Sequence, residues 1–215
     1  MSEELFSLIP QMFIAIFALM NPFSLLGIYL DITQKFSESY KKKLLLVMVI
    51  AVNIILLTFL FGGEELLGFF GVDLAGFTVA GGIIIFIMGL SMVRAKQSEV
   101  HHTSEEGEEA KSTESPASVG VVPLAIPILA GPGTISVVIN NAHTFNSLTG
   151  DLAIVIGIVL VSIIVYFVFR FGTIIAKKLG KTGMNIITRI MGLILMAMAF
   201  DMMAKGLTGL FPALG

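Results

Sequence analysis

The sequence ALMNPFS at residues 18–24 returns in altered form 110 residues later, as ILAGPGT at residues 128–134. Each copy places a proline, Pro22 or Pro132, inside a stretch that is otherwise mostly apolar. Proline lacks a backbone N–H and clashes with the preceding turn, so it kinks or breaks a helix, and it is favoured at the first position of a new one. We therefore expect the residue before each proline to cap the second half of a broken helix.

The composition indicates a membrane protein. Of the 215 residues, 56% are hydrophobic and 13% are charged. A water-soluble domain carries about a quarter charged residues, so much of this chain must face lipid. A helix crosses a bilayer with about 20 apolar residues. Six segments meet that requirement and predict an all-α membrane protein with six transmembrane helices: residues 5–30, 44–61, 74–93, 119–139, 152–171 and 185–207.

Two further matches extend the duplication beyond the prolines. FG at residues 61–62 returns at residues 171–172, again at an offset of 110, and TVAGGI at residues 78–83 aligns with RIMGLI at residues 189–194 at an offset of 111. Because three helices are an odd number, the second copy must enter the membrane inverted. The sequence thus predicts two inverted three-helix repeats in which helices 1 and 4 are broken. The predicted parts are a first repeat, an acidic cytoplasmic linker and a second repeat, at residues 1–93, 94–118 and 119–215.

The basic residues predict the orientation of the spans. All but one of the 13 Lys and Arg residues lie in or beside the first, third and fifth loops, and the exception is Lys205. The positive-inside rule then places these three loops in the cytoplasm and both termini outside it, in the cell inner membrane. The third loop is the acidic linker, which contains His101 and His102, and the sequence leaves its role open.

The two breaks predict a binding site for a zwitterion. A helix N-terminus favours an anion such as a carboxylate, here through free N–H groups at about residues 23–25 and 133–135. The preceding half-helices end in free carbonyl groups, which suit an ammonium group or a cation. An ordinary proline kink is the alternative, and we favour a site because the breaks are equivalent in the two repeats. The predicted substrate-binding residues are Asn21, Pro22, Phe23, Ser24, Gly131, Pro132, Gly133, Thr134, Ser136 and Arg189.

Other polar residues of the spans have two interpretations each. An Arg at the bilayer centre costs at least ~2.5–3.5 kcal/mol, so Arg189 is a functional candidate unless it snorkels to the cytoplasmic surface. Asp201 precedes Lys205 by one helical turn, which favours an exposed ion pair over a proton relay. Asn53 and residues 140–141 either bond between helices or contact substrate.

Three motifs resemble the MarC family of bacterial and archaeal integral membrane proteins. They are Asn21-Pro22 in the first span, AGPGTIS at residues 130–136 and RIMG at residues 189–192. The resemblance covers the whole chain apart from the acidic linker. Some members of that family are described as small neutral amino acid transporters, so the resemblance implies transport of such amino acids.

The paired breaks and the resemblance together predict a secondary transporter for uptake or export of small neutral amino acids such as glycine, alanine or serine, working by alternating access. A passive channel, an exporter of another small metabolite or drug, and a non-transporting membrane scaffold stay open as alternatives. No enzyme is expected, because no His, Cys or close acidic pair lies inside a predicted span. Membrane lipid is an expected partner, nucleic acid is not, and no cofactor or metal site is predicted. The coupling ion, Na⁺ or H⁺, the direction of transport and the oligomeric state are left open.

Overall fold

A computed structural model describes residues 2–34, 36–94 and 129–214, and within them every regular element is helical. The predicted all-α class is confirmed for this part of the chain. His101, His102, nearly all of the acidic linker and the start of the predicted fourth span lie outside the described residues. The helices are α1 Ser2–Met20, α2 Pro22–Thr33, α3 Glu38–Phe69, α4 Leu74–Val93, α5 Pro132–Phe145, α6 Leu148–Arg170 and α7 Gly172–Leu210, followed by a 3-10 turn at Pro212–Leu214.

Five stretches of the described residues are long and apolar enough to cross a membrane. They correspond to predicted spans 1, 2, 3, 5 and 6, and α5 is the described end of the predicted fourth span. The first stretch contains both α1 and α2. The stretches are Leu5–Leu30, Glu38–Phe69, Leu74–Val93, Leu148–Arg170 and Gly172–Leu210.

The outer surface of the helix bundle is apolar. Large side chains such as Ile54, Ile163, Leu193 and Phe200 are about half exposed or more, whereas Leu44 and Ile158 are fully buried. A water-soluble protein rarely exposes apolar surface on this scale. Lipid is the solvent that such a surface requires, which agrees with the predicted membrane location.

Two serine caps extend the internal repeat. The Ser37 side chain accepts a hydrogen bond from the Tyr40 N–H at 3.3 Å at the start of α3, and Ser147 accepts one from the Gly150 N–H at 3.1 Å at the start of α6. A serine in this position satisfies one of the free donors of a helix N-terminus. Both caps and both partners are 110 residues apart, so α3 and α6 begin at equivalent points.

Helix α7 is divided by a kink at Gly180. This residue has φ 61° and ψ 179°, a backbone conformation that is open to glycine and strained for other residues. The part of α7 before Gly180 continues from the end of α6, and the part after it contains the predicted sixth span, residues 185–207. The kink therefore separates a loop-side segment from the membrane-spanning segment.

The membrane-spanning part of α7 packs closely on α4. A Cβ atom added at Gly82 would lie 3.0 Å from the Ala199 carbonyl oxygen, and one added at Gly192 would lie 2.7 Å from the Gly89 carbonyl oxygen. Glycine is needed at both points because the two backbones touch. Gly82 and Gly192 are 110 residues apart, as are Gly89 and Ala199, so the contact is reciprocal. It follows an offset of 110, one less than the alignment of the glycine motifs suggests.

Ion pairs define two ends of the bundle. Arg170 Nη1 lies 3.0 Å from Glu38 Oε2, which joins the end of α6 to the start of α3. At the opposite end of α3, Glu64 Oε1 lies 3.3 Å from His143 Nδ1 of α5. We call these the Arg170 end and the His143 end. The predicted first and fifth loops therefore meet at one end of the bundle, and the predicted second and fourth loops meet at the other.

Candidate substrate site

The first helix break is present and occupies a single residue. Asn21 has φ 34° and ψ 66°, in the left-handed region that Asn tolerates better than most residues. Its N–H donates to the Phe17 carbonyl oxygen at 2.9 Å and so completes the last turn of α1. Its own carbonyl oxygen accepts from the Ser24 N–H at 3.1 Å and so begins α2. Pro22 is buried at the first position of α2, and Phe23 packs edge-on against the Phe17 ring.

The Asn21 side chain is buried, with 4% of its surface exposed. Its Nδ2 donates to Ser24 Oγ, which in turn lies 2.9 Å from Thr188 Oγ1 of α7. Its Oδ1 has no hydrogen-bond partner among the described residues. Turning the amide over would exchange the two atoms and leave Nδ2 unpaired instead. An unpaired buried polar atom costs about 1–3 kcal/mol, so this amide is the group most in need of a ligand.

The second break is built without a polar cap. Gly131 has φ −67° and ψ 171°, an ordinary extended conformation, and its carbonyl oxygen accepts from the Ile135 N–H at 3.1 Å. Thr134 is 2% exposed, and its hydroxyl donates to the Leu129 carbonyl oxygen at 3.4 Å. Pro132 is exposed. The chain before Leu129 lies outside the described residues, so only the second half of this broken helix is seen.

The prediction of three free N–H groups at the start of each half-helix is wrong at one position in each. Ser24 and Ile135 donate to the carbonyl oxygen of the residue before the proline. The physical reason is that a capping residue already accepts the first hydrogen bond of the helix that it starts. The amides that remain for a ligand are at most those of Phe23, Leu25, Gly133 and Thr134.

The structure brings the two breaks together. A Cβ atom at Gly133 would lie 3.4 Å from Leu19 Cδ2, two residues before the first break. Met20 and Leu129, each near a break, line the same narrow gap between helices. The ends of two helices thus meet inside the bundle, as the proposed site requires.

Two other predicted site residues differ in their surroundings. Ser136 is buried against α4, where a Cβ atom at Gly81 would come within 2.6 Å of Ser136 Cβ. Arg189 follows Thr188, so its backbone lies beside the first break, but its side chain is exposed. Within the described part of the chain, Arg189 forms no ion pair. Sequence analysis overlooked Thr188, whose only signal is its offset of 110 from Thr78.

Polar groups farther from the breaks stabilise the bundle or lie at its surface. Asn53 Nδ2 donates to the Val49 carbonyl oxygen and to Ser162 Oγ, both at 2.8 Å, and so joins α3 to α6. This is the interhelical interpretation of Asn53. Lys205 Nζ lies 2.8 Å from Asp201 Oδ2, and both side chains are largely exposed. The predicted exposed ion pair is confirmed.

A cavity opens at each end of the bundle. At the His143 end, a cavity of about 820 Å³ has Thr78, Asn140 and Lys205 in its wall. At the Arg170 end, a cavity of about 300 Å³ has Thr33 and Lys41 in its wall. Small-molecule sites occupy roughly 300–1,000 Å³, so the larger cavity has room for a small metabolite.

Comparison with known proteins places the chain in a family. Residues 6–211 match the MarC family, described as MarC family integral membrane protein. The chain is 37% identical over 213 residues to the UPF0056 membrane protein YvbG of Bacillus subtilis (strain 168), covering 98% of this chain and 99% of the relative. It is 35% identical over 204 residues to the UPF0056 membrane protein YhcE of Escherichia coli (strain K12), covering 95% and 94%. No solved structure matches the chain.

The family match covers the described helices and both breaks, and its name agrees with the five candidate spans and the apolar outer surface. The resemblance carried by Asn21-Pro22, residues 130–136 and residues 189–192 is confirmed. This chain is an integral multi-pass membrane protein that belongs to the MarC family.

Proposed function

We propose that this protein is a secondary transporter that moves small neutral amino acids such as glycine, alanine or serine across the cell inner membrane by alternating access. One observation carries this proposal. The buried Asn21 amide has an unpaired atom beside the N-terminus of α2, where a second helix start, that of α5, is close by. A pair of helix starts with an unpaired amide between them is a built polar site inside an apolar bundle.

The chemistry of this site suits a zwitterion. The first-turn amides left at α2 and α5 favour a carboxylate. The carbonyl groups at the end of α1 favour an ammonium group, and the Asn21 amide can serve either charge, depending on its orientation. Leu19 and Gly133 leave little space between the breaks, which favours substrates with small side chains. Arg189 is a proposed carboxylate partner if its exposed side chain turns toward the neighbouring break.

An inverted repeat supports alternating access. The breaks, the serine caps Ser37 and Ser147, and the contact of Gly82 and Gly192 all follow one offset of 110. Transporters with such repeats bind substrate at the repeat interface and alternate by moving one repeat against the other. Because each repeat contributes three spans, we propose that the second copy is inverted relative to the first.

We propose that the Arg170 end faces the cytoplasm and that both termini are extracytoplasmic. The support is the distribution of Lys and Arg over the loops, which follows the positive-inside rule. Lipid surrounds the bundle, and a small neutral amino acid is the partner at the breaks. A transporter is favoured over an enzyme because the predicted spans contain no His or Cys.

Flux measurements on purified protein in liposomes test this function. We expect saturable uptake of labelled glycine, alanine or serine that unlabelled amino acid suppresses, measured with an imposed Na⁺ gradient, with an imposed H⁺ gradient and with neither. Asn21→Gly should reduce the uptake. Asn146→Gly, in the loop between α5 and α6, is the matched control.

Other outcomes separate the alternatives. No gradient-dependent flux with any amino acid of a broad panel would reject amino-acid transport. Flux that does not saturate would indicate a passive channel. Cells that keep every phenotype after substitution of both Pro22 and Pro132 would indicate a non-transporting scaffold.

A further inference from the structure

The contact between Ser24 and Thr188 has an equivalent in the second repeat. Residues 110 positions away from this pair are Thr134 and Thr78, and all four carry a hydroxyl group. The pair Ser24 and Thr188 joins α2 to α7, and the pair Thr134 and Thr78 would join α5 to α4. A two-fold relation between the repeats, supported by the reciprocal contact of α4 and α7, therefore implies two equivalent hydroxyl contacts.

Only one of these two contacts is made. Ser24 Oγ and Thr188 Oγ1 are 2.9 Å apart. Thr78 Oγ1 instead lies 3.0 Å from Asn140 Oδ1, and Thr134 donates over 3.4 Å to the carbonyl oxygen of Leu129. No hydrogen bond joins Thr134 to Thr78 among the residues that the structure describes. The two repeats thus differ where the sequence makes them equivalent.

The difference coincides with the openings of the bundle. The made contact covers the first break, because Ser24 is exposed and bonds to the buried Asn21 beneath it. The unmade contact lies on the side of the 820 Å³ cavity, whose wall includes Thr78 and its partner Asn140. One side is joined across its helices, and the other is open.

We propose that these two hydroxyl contacts alternate and so control access to the site between the breaks, an inference that rests on the proposed transport function. In the state described here, Ser24 and Thr188 hold the Arg170 side closed, and the His143 side is open. In the other state, Thr78 exchanges Asn140 for Thr134 and closes the His143 side, while Ser24 and Thr188 separate and open Asn21 to the Arg170 side. Because one hydroxyl contact replaces another, the two states differ little in hydrogen-bond energy, as alternation requires.

Disulfide crosslinking tests this exchange, since the chain contains no cysteine. Each pair has one member before the acidic linker and one after it, so a protease site placed in the linker yields two fragments that only a disulfide holds together. In membranes treated with a mild oxidant, Ser24→Cys with Thr188→Cys should crosslink rapidly. Thr134→Cys with Thr78→Cys should crosslink slowly, because it reports the less populated state.

The decisive comparison is the second pair in a Thr188→Val background. Removing the Ser24–Thr188 hydrogen bond favours the other state, so crosslinking of the second pair should accelerate about fivefold, the effect expected of one lost hydrogen bond. Thr33→Val is the matched control, because the Thr33 hydroxyl bonds only within its own helix, to Tyr29 at 2.7 Å. It should leave the rate unchanged.

Three results would overturn the exchange: no crosslink at the first pair, no crosslink at the second pair, or equal rates at the second pair with and without Thr188→Val. Rapid crosslinking at the first pair shows that the protein is folded. Crosslinking needs no substrate, so it is independent of cargo. If the exchange occurs but no amino acid is transported, the gates stand and the cargo is wrong; if transport occurs without the exchange, the gates are wrong.

Discussion

The two proline breaks occupy equivalent places in the sequence but are built differently. At the first, Asn21 adopts a left-handed backbone, buries an amide with an unpaired atom and reaches α7 through Ser24. At the second, Gly131 caps α5 through its backbone alone, and Gly133 packs tightly against neighbouring helices. One break therefore offers side-chain polar groups, and the other offers backbone amides and close approach.

This difference shows how a duplicated element can divide two requirements of one site. A ligand held between two helix starts needs polar groups, and it also needs the helices to come near each other. A side chain as large as Asn at residue 131 and residue 133 would oppose the second requirement. The asymmetry of the breaks is thus a physical consequence of placing both at one contact.

Replacing the Asn21 side chain should have the largest effect. Glycine at this position keeps the left-handed backbone and removes the amide, so Asn21→Gly should lower the initial rate of amino-acid flux at least ~tenfold, the loss of a hydrogen bond to a charged group. Thermal stability should be unchanged or raised, because a buried unpaired atom is removed. Flux and thermal unfolding in detergent measure the two effects.

The control is Asn146→Gly, at the other left-handed non-glycine residue of the described chain, where φ is 29°. It should change neither flux nor stability noticeably. Asn21→Leu adds backbone strain to the loss of the amide and should also lower the yield of folded protein. Normal flux in Asn21→Gly would show that the amide does not contact the substrate.

Filling the second break should destabilise the protein. A Cβ atom at Gly133 would lie 3.2 Å from Ile85 Cγ1 and 3.3 Å from Met88 Sδ, so Gly133→Leu overpacks the contact, at a cost of about 1–3 kcal/mol. Gly27→Leu is the matched control, because nothing lies within 4 Å of the added Cβ atom. The yield of monodisperse protein in gel filtration measures the difference. Equal yields would mean that the breaks do not meet as described.

The equivalent residues Ser24 and Thr134 should differ in their effect on stability. Ser24→Ala leaves Nδ2 of the buried Asn21 without its acceptor and should lower the free energy of unfolding by about 1 kcal/mol. Thr134→Val loses only a hydrogen bond of 3.4 Å and should lower it by less than about half as much. Denaturation in mixed micelles compares the two, and an equal loss would remove the distinction between the breaks.

The smallest effect is expected away from both breaks. Ser162→Ala removes the interhelical hydrogen bond from Asn53 and should cost about 0.6 kcal/mol, the average for such bonds in membranes. Flux should be unchanged, since this bond joins α3 to α6 rather than facing the breaks. A double-mutant cycle with Asn53→Leu measures the coupling. A large loss of flux would place part of the site at Asn53.

Local chemistry explains why much of the fold was predictable. Apolar length marks the spans, and proline marks the breaks because it removes a donor wherever it stands. The breaks also show the limit of such reasoning. The expectation of free N–H groups at Ser24 and Ile135 was wrong, because which carbonyl oxygen accepts each bond depends on the backbone angles at Asn21 and Gly131. The extracytoplasmic position of the termini and the substrate stay predictions.

The sequence by itself determined that this chain is a helical membrane protein, where its first helix breaks, and that its two halves are related, because hydropathy, proline and internal similarity are properties of neighbouring residues. Only the tertiary structure decided that Ser24 meets Thr188, that Gly133 lies against Leu19 and that Thr78 contacts Asn140. These contacts join residues far apart in the chain. Two equivalent motifs can therefore acquire different partners, since packing of the whole bundle, and not local sequence, selects which hydroxyl groups come within hydrogen-bonding distance.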